Sequence, residues 1–281
     1  MRTAIGFALI ATLLASPKAL AQEGELIKYS VVEIENLLAN FKATYKNKKA
    51  PEEDVDDVLT GLTDAYKYLA SKEPEDLTKE EEKAQKAIVS MVAKGLKARK
   101  RARVNVQCAI ALGKMGDKAG AKPLLKWLDG TVFDMKNPNS GWVEYGMQSL
   151  AWIGPTDSKS LDFLRSYATG KHNDTNVAAQ CLMATFEWRM MPGKSRKEMF
   201  NKIQQYMGGL YSQMRGSDAK KRGEAEQKYN TIKENGLKAL HLLSGNDKPF
   251  ADPDEAFAWW KDNKKGKWPD YENPRFKKKT P

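Results

Sequence analysis

The feature that most constrains the fold is a similarity between helical segments that begins near residue 101. Aligning Leu112 with Leu150 brings two apolar segments into register at an offset of 38 residues. Aligning Cys108 with Cys181 reveals a third copy at an offset of 73, and residues 236–245 form a degenerate fourth copy. Self-similarity with a period of roughly 20 to 50 residues is typical of repeat architectures. We therefore expect stacked units that bury their apolar faces on one another.

The N-terminal part of the chain also predicts helices. Ser30 with Glu33 and Thr78 with Glu81 each have the spacing of a capping box, which opens a helix. The intervening segment, from Pro51, begins with acidic residues and continues with apolar residues at helical spacing. No segment alternates with period two for long enough to indicate a strand. The sequence predicts an all-α fold.

The repeated segments resemble the HEAT repeat, a pair of antiparallel helices with small residues in the first helix and a turn after it. The matching residues are Ala111-Leu112-Gly113 with Gly116-Asp117, and Leu150-Ala151 with Gly154-Pro155. Small residues allow helices to approach closely, and the turn residues end the first helix. The resemblance implies an armadillo-like α-solenoid over residues 101–265, with the helices of residues 22–100 capping its N-terminal end.

The end of the chain is similar to the end of exported bacterial HEAT-like proteins, in which a glycine turn leads into a final helix with paired tryptophans. Asp252 is the expected N-cap of this helix, and Pro253 is its first residue. We expect Trp259 and Trp260 to cover the last core layer, and a ligand-stacking role is the alternative. Residues 266–281 are expected to form a basic flexible tail.

Two segments depart from the repeat pattern. Gly208-Gly209 predicts a break in the third repeat, and the charged residues 216–228 are compatible with either a helix or a linker. The cysteines occupy equivalent positions two repeats apart, which exceeds the reach of a disulfide. We expect Cys108 and Cys181 to be buried thiols that act as small core residues.

Residues 1–21 match a secretory signal peptide. The apolar run Ala4–Leu14 is followed by the small-residue site Ala19-Leu20-Ala21. Eleven apolar residues rise only about 16 Å as a helix, which is too short to span a membrane. We predict cleavage after Ala21 and export to the periplasm or the extracellular medium.

Charge is unevenly distributed along the chain. Without residues 1–21, the chain carries 45 basic and 36 acidic residues. Residues 51–82 hold twelve acids against three lysines, whereas Lys94–Arg103 holds six bases. Two interpretations remain open, namely solvated helix faces or contact with an acidic partner. That partner could be the acidic N-terminal part itself, within one chain or between copies.

The resemblance to HEAT proteins implies that the second helix of each repeat lines a concave surface. The candidate partner-binding residues on these helices are Lys118, Lys122, Lys126, Arg165, Lys197 and Lys202. Protein acids, an anionic envelope polymer and phosphate groups would all suit such a basic surface. Because export is predicted, nucleic acid is not an expected partner.

No motif in the sequence indicates a catalytic centre. The sequence contains no G-x-S-x-G, H-E-x-x-H or paired C-x-x-C motif. His172 and His241 lack the adjacent carboxylates of the iron-binding pairs found in HEAT-like hydroxylases. The triplet Gly193-Lys194-Ser195 lacks the first glycine of a phosphate loop and indicates a helix start. We predict no catalytic residue, cofactor or metal.

These observations favour an exported, non-enzymatic scaffold or adaptor that binds a protein, expected to be acidic, on its concave surface. A peripheral binder of anionic envelope polymer is the first alternative. A hydrolase of wall or glycan material is the second, and it would require two close carboxylates in a cleft.

Overall fold

The computed structural model describes residues 27–47, 49–98, 101–132, 140–153, 158–185 and 192–270. Every regular element in these ranges is helical, which confirms the predicted all-α class. The α-helices in this part of the chain are α1 (Val31–Lys46), α2 (Glu52–Ser71), α3 (Lys79–Gly95), α4 (Ala102–Met115), α5 (Ala121–Trp127), α6 (Ser140–Ile153), α7 (Ser158–Ala168), α8 (Thr175–Ala184), α9 (Gly193–Gln213), α10 (Ala219–Ser244) and α11 (Pro253–Asn263).

Both predicted capping boxes are present. The backbone N–H of Glu33 donates to the Ser30 hydroxyl at 3.2 Å, and the Glu33 carboxylate accepts from the Ser30 N–H at 2.7 Å. Thr78 and Glu81 form the same reciprocal pair at the start of α3. The carboxylates therefore satisfy N–H groups that the first turn of each helix leaves unbonded.

The helices form two layers. In the first layer, every second helix packs on the next, in the order α2, α4, α6, α8 and α10. The intervening helices pack on this layer, with α3 against α4, α7 against α8 and α9 against α10. Helix α1 packs on α2 and α3, and α11 packs on α9. The buried apolar core runs from Ile34 of α1 to Trp268, which follows α11.

The turn after α4 has the predicted form. Gly116 adopts the left-handed conformation with φ 69°, which a residue with a β-carbon rarely adopts. Its N–H donates to carbonyl oxygens of the last turn of α4, so the helix ends there. The equivalent predicted turn at Gly154-Pro155 lies outside the described residues.

The expected break at Gly208-Gly209 is wrong, because α9 continues through both glycines. Each interior glycine costs a helix about 1 kcal/mol relative to alanine. Burial of Met207 and Leu210 on either side of the pair, where α9 packs on α10, offsets this cost. Most of the charged segment 216–228 is helical and not a linker, since α10 begins at Ala219 with Asp218 as its N-cap.

Helix α11 begins as predicted, with Asp252 as N-cap and Pro253 as its first residue. Its two tryptophans pack against Phe200 of α9. The ring centroids of Trp259 and Trp260 lie 5.3 and 5.5 Å from that of Phe200. The paired tryptophans therefore cover the apolar side of α9, as expected of a closing helix.

The first residues of the predicted flexible tail pack against α9. Trp268 is 8% exposed, and its ring centroid lies 5.6 Å from that of Phe200. The Asp270 carboxylate accepts a hydrogen bond of 2.6 Å from the N–H of Gly193, the first residue of α9. The apolar ring and the helix-capping carboxylate hold residues 266–270 in place, and residues 271–281 lie outside the described ranges.

Both cysteines are buried free thiols, as predicted. Burial raises the pKa of Cys108 and of Cys181, because a thiolate is poorly solvated in an apolar core. The predicted signal peptide lies outside the described residues. Among the helices that are described, none combines the length and the hydropathy needed to cross a bilayer.

Candidate functional site

A groove of about 680 Å³ lies between α3 and α5, and we call it the α3–α5 groove. Its lining contains five exposed lysines and, among the described residues, no aspartate or glutamate. The lysines are Lys86, Lys94 and Lys97 on the α3 side, and Lys122 and Lys126 on α5. The groove therefore presents concentrated positive charge.

The floor of the α3–α5 groove is apolar. Val89 and Leu96 contribute from the α3 side, and Trp127 contributes from α5. These three side chains are at most 4% exposed, and the half-buried Ala93 lies among them in the lining. The groove thus combines an apolar floor with a cationic rim.

A difference in helix length explains why space remains between these helices. Helix α3 has 17 residues and is about 25 Å long, whereas α5 has 7 residues and is about 10 Å long. The 3₁₀ turn Lys118–Gly120, which leads into α5, packs on α3. Beyond this turn, α5 packs against α6 and α7, so it leaves much of the α3 face uncovered.

Two tyrosine–aspartate hydrogen bonds hold α5 at its ends. The Tyr66 hydroxyl of α2 donates to Asp117 at 2.8 Å, and the other Asp117 oxygen accepts from the Ala119 N–H at 2.8 Å. The Tyr167 hydroxyl of α7 donates to Asp129, just after α5, at 2.9 Å. A seven-residue helix is unstable alone, so these contacts from other helices position the α5 lysines.

Four of the five lysines have no ion-pair partner in the part of the chain that the structure describes. Within the described ranges, Lys94, Lys97, Lys122 and Lys126 form no ion pair. Lys86 lies 3.7 Å from Glu82, and both side chains are at least half exposed. The positive charge of the groove is therefore available to an anionic ligand.

The remaining described bases of the run Lys94–Arg103 have internal partners. Buried Arg101 donates to the carbonyl oxygens of Thr44, Asn47 and Ala50 at 2.7 to 2.9 Å, and so satisfies the C-terminal end of α1. Arg103 lies 3.5 Å from Glu53 and 3.0 Å from Asp56, both on α2. Part of the basic run thus contacts the acidic N-terminal helices within one chain.

The structure brings together two of the six predicted site residues, Lys122 and Lys126. Lys118 is exposed in the 3₁₀ turn but does not line the groove, and Lys202 is exposed on α9. Arg165 forms ion pairs with Asp162 and, at 3.5 Å, with Glu198. The Lys197 ammonium donates to the Gly266 carbonyl oxygen at 3.1 Å. Arg165 and Lys197 therefore already contact groups of this chain.

Sequence reasoning missed Lys86, Lys94 and Lys97 as site residues. Lys86 and Lys94 are eight residues apart in α3, which places them about 80° apart on a helical wheel, and Lys97 follows two residues after this helix ends. Their position opposite α5 depends on how α3 packs against the 3₁₀ turn. No sequence pattern specifies that contact.

The histidines and carboxylates form no metal centre in the part of the chain that is described. The His172 Nδ1 atom accepts from the Asp174 N–H at 3.0 Å in the turn before α8. His241 lies in the last turn of α10. The Nδ1 atom of His241 is buried and has no hydrogen-bond partner among the described residues.

Comparisons of this chain with models of protein families, with curated proteins and with solved structures give no match.

Proposed function

We propose that the protein is a non-catalytic, exported adaptor whose α3–α5 groove binds an acidic segment of another protein. The observation that carries this proposal is the cluster of five exposed lysines around an apolar floor, where no carboxylate among the described residues belongs to the lining. A concave site lined only by positive charge attracts an anionic partner and raises the rate at which the two associate.

We further propose that the helix pairs form a HEAT-like α-solenoid. Two observations support this proposal. The sequence repeats with an offset of 38 residues, and every second helix from α2 to α10 packs on the next. Stacking of equivalent helices is the arrangement that a repeat array requires.

The apolar floor favours a polypeptide over a wholly polar polymer. Exposed ion pairs contribute only about 0.2 to 1 kcal/mol each. Burial of apolar surface contributes about 25 cal/mol per Å², and only a ligand with apolar groups gains it against the half-buried Ala93 and Pro123 of the lining. A protein segment supplies both kinds of group.

The proposal can be tested by affinity capture from an envelope extract with the chain that begins at Gln22. The test variant replaces Lys94, Lys97, Lys122 and Lys126 with glutamate. The matched control introduces glutamate at Lys220, Arg222, Lys228 and Lys233, which are exposed on α10. Both variants alter the net charge equally, so a difference between them reports the position of the charge.

A protein retained by the wild type and by the control, but lost from the groove variant, would support the adaptor proposal. Equal retention by all three would show that the groove does not bind it. Retention of anionic polymer alone, abolished by salt, would favour the polymer-binding alternative.

A further inference from the structure

The walls of the α3–α5 groove are helical, and this restricts the backbone conformation of a peptide ligand. Helical backbone N–H and C=O groups are bonded within their own helix. In one common mode an extended peptide pairs its backbone with a sheet edge, and neither α3 nor α5 offers one. A helical ligand satisfies its own backbone groups and needs only side-chain contacts from the groove.

The dimensions of the groove suit a short helix. The α3 side of the lining runs from Lys86 in α3 to Lys97, two residues beyond the end of this helix, over a length of about 16 Å. This length corresponds to about three turns of a helix laid beside α3. Such a helix would occupy the space that the seven-residue α5 leaves uncovered.

The distribution of groups in the groove matches an amphipathic helix. The α3 side and α5 both contribute exposed lysines to the lining, and both also contribute buried apolar residues. A ligand helix with one apolar stripe would place this stripe on Val89, Ala93 and Trp127. Carboxylates on both flanks of the stripe would then reach the rim lysines.

We infer that the α3–α5 groove binds an acidic amphipathic α-helix of about three turns from its partner, with the apolar stripe on the floor and the carboxylates on the lysine rim. This inference rests on the proposed function and specifies the conformation and the chemistry of the bound segment.

Four probes separate the helix from other anionic ligands. The first is a labelled glutamate-rich peptide with leucines at helical spacing, and the second is a scrambled peptide of the same composition. The third is polyglutamate of equal charge, and the fourth is a vesicle of phosphatidylglycerol and phosphatidylcholine. Fluorescence anisotropy measures peptide affinity, flotation measures vesicle binding, and circular dichroism measures helix formation by the bound peptide.

We expect the amphipathic peptide to bind at least about tenfold more tightly than the scrambled peptide or polyglutamate, because only it buries its leucines together. Ala93→Phe should fill the floor and weaken the amphipathic peptide by about tenfold or more, with polyglutamate affinity unchanged. Ser90→Trp is a second variant that should obstruct the groove and weaken the amphipathic peptide in the same way. Ser90 is an exposed lining residue, so this change leaves the apolar core intact.

The outcomes distinguish this inference from the proposed function. Equal affinity for the amphipathic and scrambled peptides, or for polyglutamate, would overturn the helix inference and leave an anion-binding groove. Binding of the vesicle in preference to every peptide would also overturn it. Failure of all three peptides to bind would count against both the inference and the proposed function.

Discussion

Gly113 of α4 lies so close to Ser149 of α6 that a β-carbon on Gly113 would be 2.7 Å from the Ser149 α-carbon. The same β-carbon would lie 2.9 Å from Cε3 of Trp152. The backbone of α4 at Gly113 therefore packs directly on Ser149 and on the ring of Trp152 in α6. The small-residue segment that carries the resemblance to HEAT repeats thus has a direct packing role.

Gly113→Ala should destabilise the protein by about 1 to 3 kcal/mol, because the added methyl forces α4 and α6 apart. This loss exceeds the helix-propensity gain of about 1 kcal/mol. Gly209→Ala is the control, since its β-carbon would meet no atom within 4 Å. The control should increase stability by about 0.5 to 1 kcal/mol. Urea unfolding followed by circular dichroism measures both, and equal stabilisation by the two changes would contradict the close packing.

These glycines show how much of the fold the sequence predicts. The turn at Gly116 and the two capping boxes depend only on residues close together in the sequence, and the structure confirms all three. The break expected at Gly208-Gly209 is wrong because local propensity is outweighed by packing of α9 on α10. Local signals therefore predict where helices begin and end, except where tertiary burial is extensive.

Tyr66→Phe should loosen the start of α5. The change removes the hydrogen bond to Asp117 and costs about 1 kcal/mol of stability. A double-mutant cycle with Asp117→Asn isolates the pairwise contribution. We expect the two effects to be less than additive, together with faster hydrogen exchange of the 3₁₀ turn. Strict additivity would mean that this bond does not position α5.

Stability should fall in alkali because several tyrosines are protected from ionisation. Burial and the neighbouring aspartates raise the pKa of Tyr66 and of Tyr167, and burial raises the pKa of Tyr229 to about 12. In the unfolded chain these hydroxyls ionise near 10.0. Above that pH the folded state binds more protons than the unfolded state does. The free energy of unfolding therefore decreases as pH rises through the raised pKa values of the folded state.

Thermal unfolding measured from pH 8 to pH 12 tests this expectation. The melting temperature should decline above about pH 10. Tyr66→Phe should show a shallower decline, since it removes one of the protected hydroxyls. An identical fall of the melting temperature in wild type and variant would show that Tyr66 does not contribute to the pH dependence of stability.

Arg196→Met should release the C-terminal segment. The fully buried guanidinium donates to the Leu243 carbonyl oxygen at 2.8 Å and to that of Pro269, and it lies 5.6 Å from the Trp268 ring. Loss of these bonds should cost about 3 kcal/mol or more. Limited proteolysis should then cleave after α11. Arg215→Met, at an exposed pair with Asp254, is the control and should leave the cleavage pattern unchanged.

The candidate site was only partly predictable. Lys122 and Lys126 were identified because the HEAT resemblance assigns them to a second helix. Lys94 and Arg101 belong to one basic run, yet one lines the groove and the other caps α1. These roles depend on contacts with residues far along the chain. A run of charged residues in the sequence indicates the sign of a surface. The packing of the helices determines which of these charges remain available to bind a partner.

The most direct test of the central claim is the affinity of a labelled acidic amphipathic peptide for three proteins. These are the wild type, the variant with glutamate at positions 94, 97, 122 and 126, and the control with glutamate at positions 220, 222, 228 and 233. We predict about a hundredfold loss in the groove variant and less than about a threefold change in the control, because reversal replaces attraction by repulsion only in the α3–α5 groove. Equal affinity for all three proteins would contradict the assignment of the groove as the binding site.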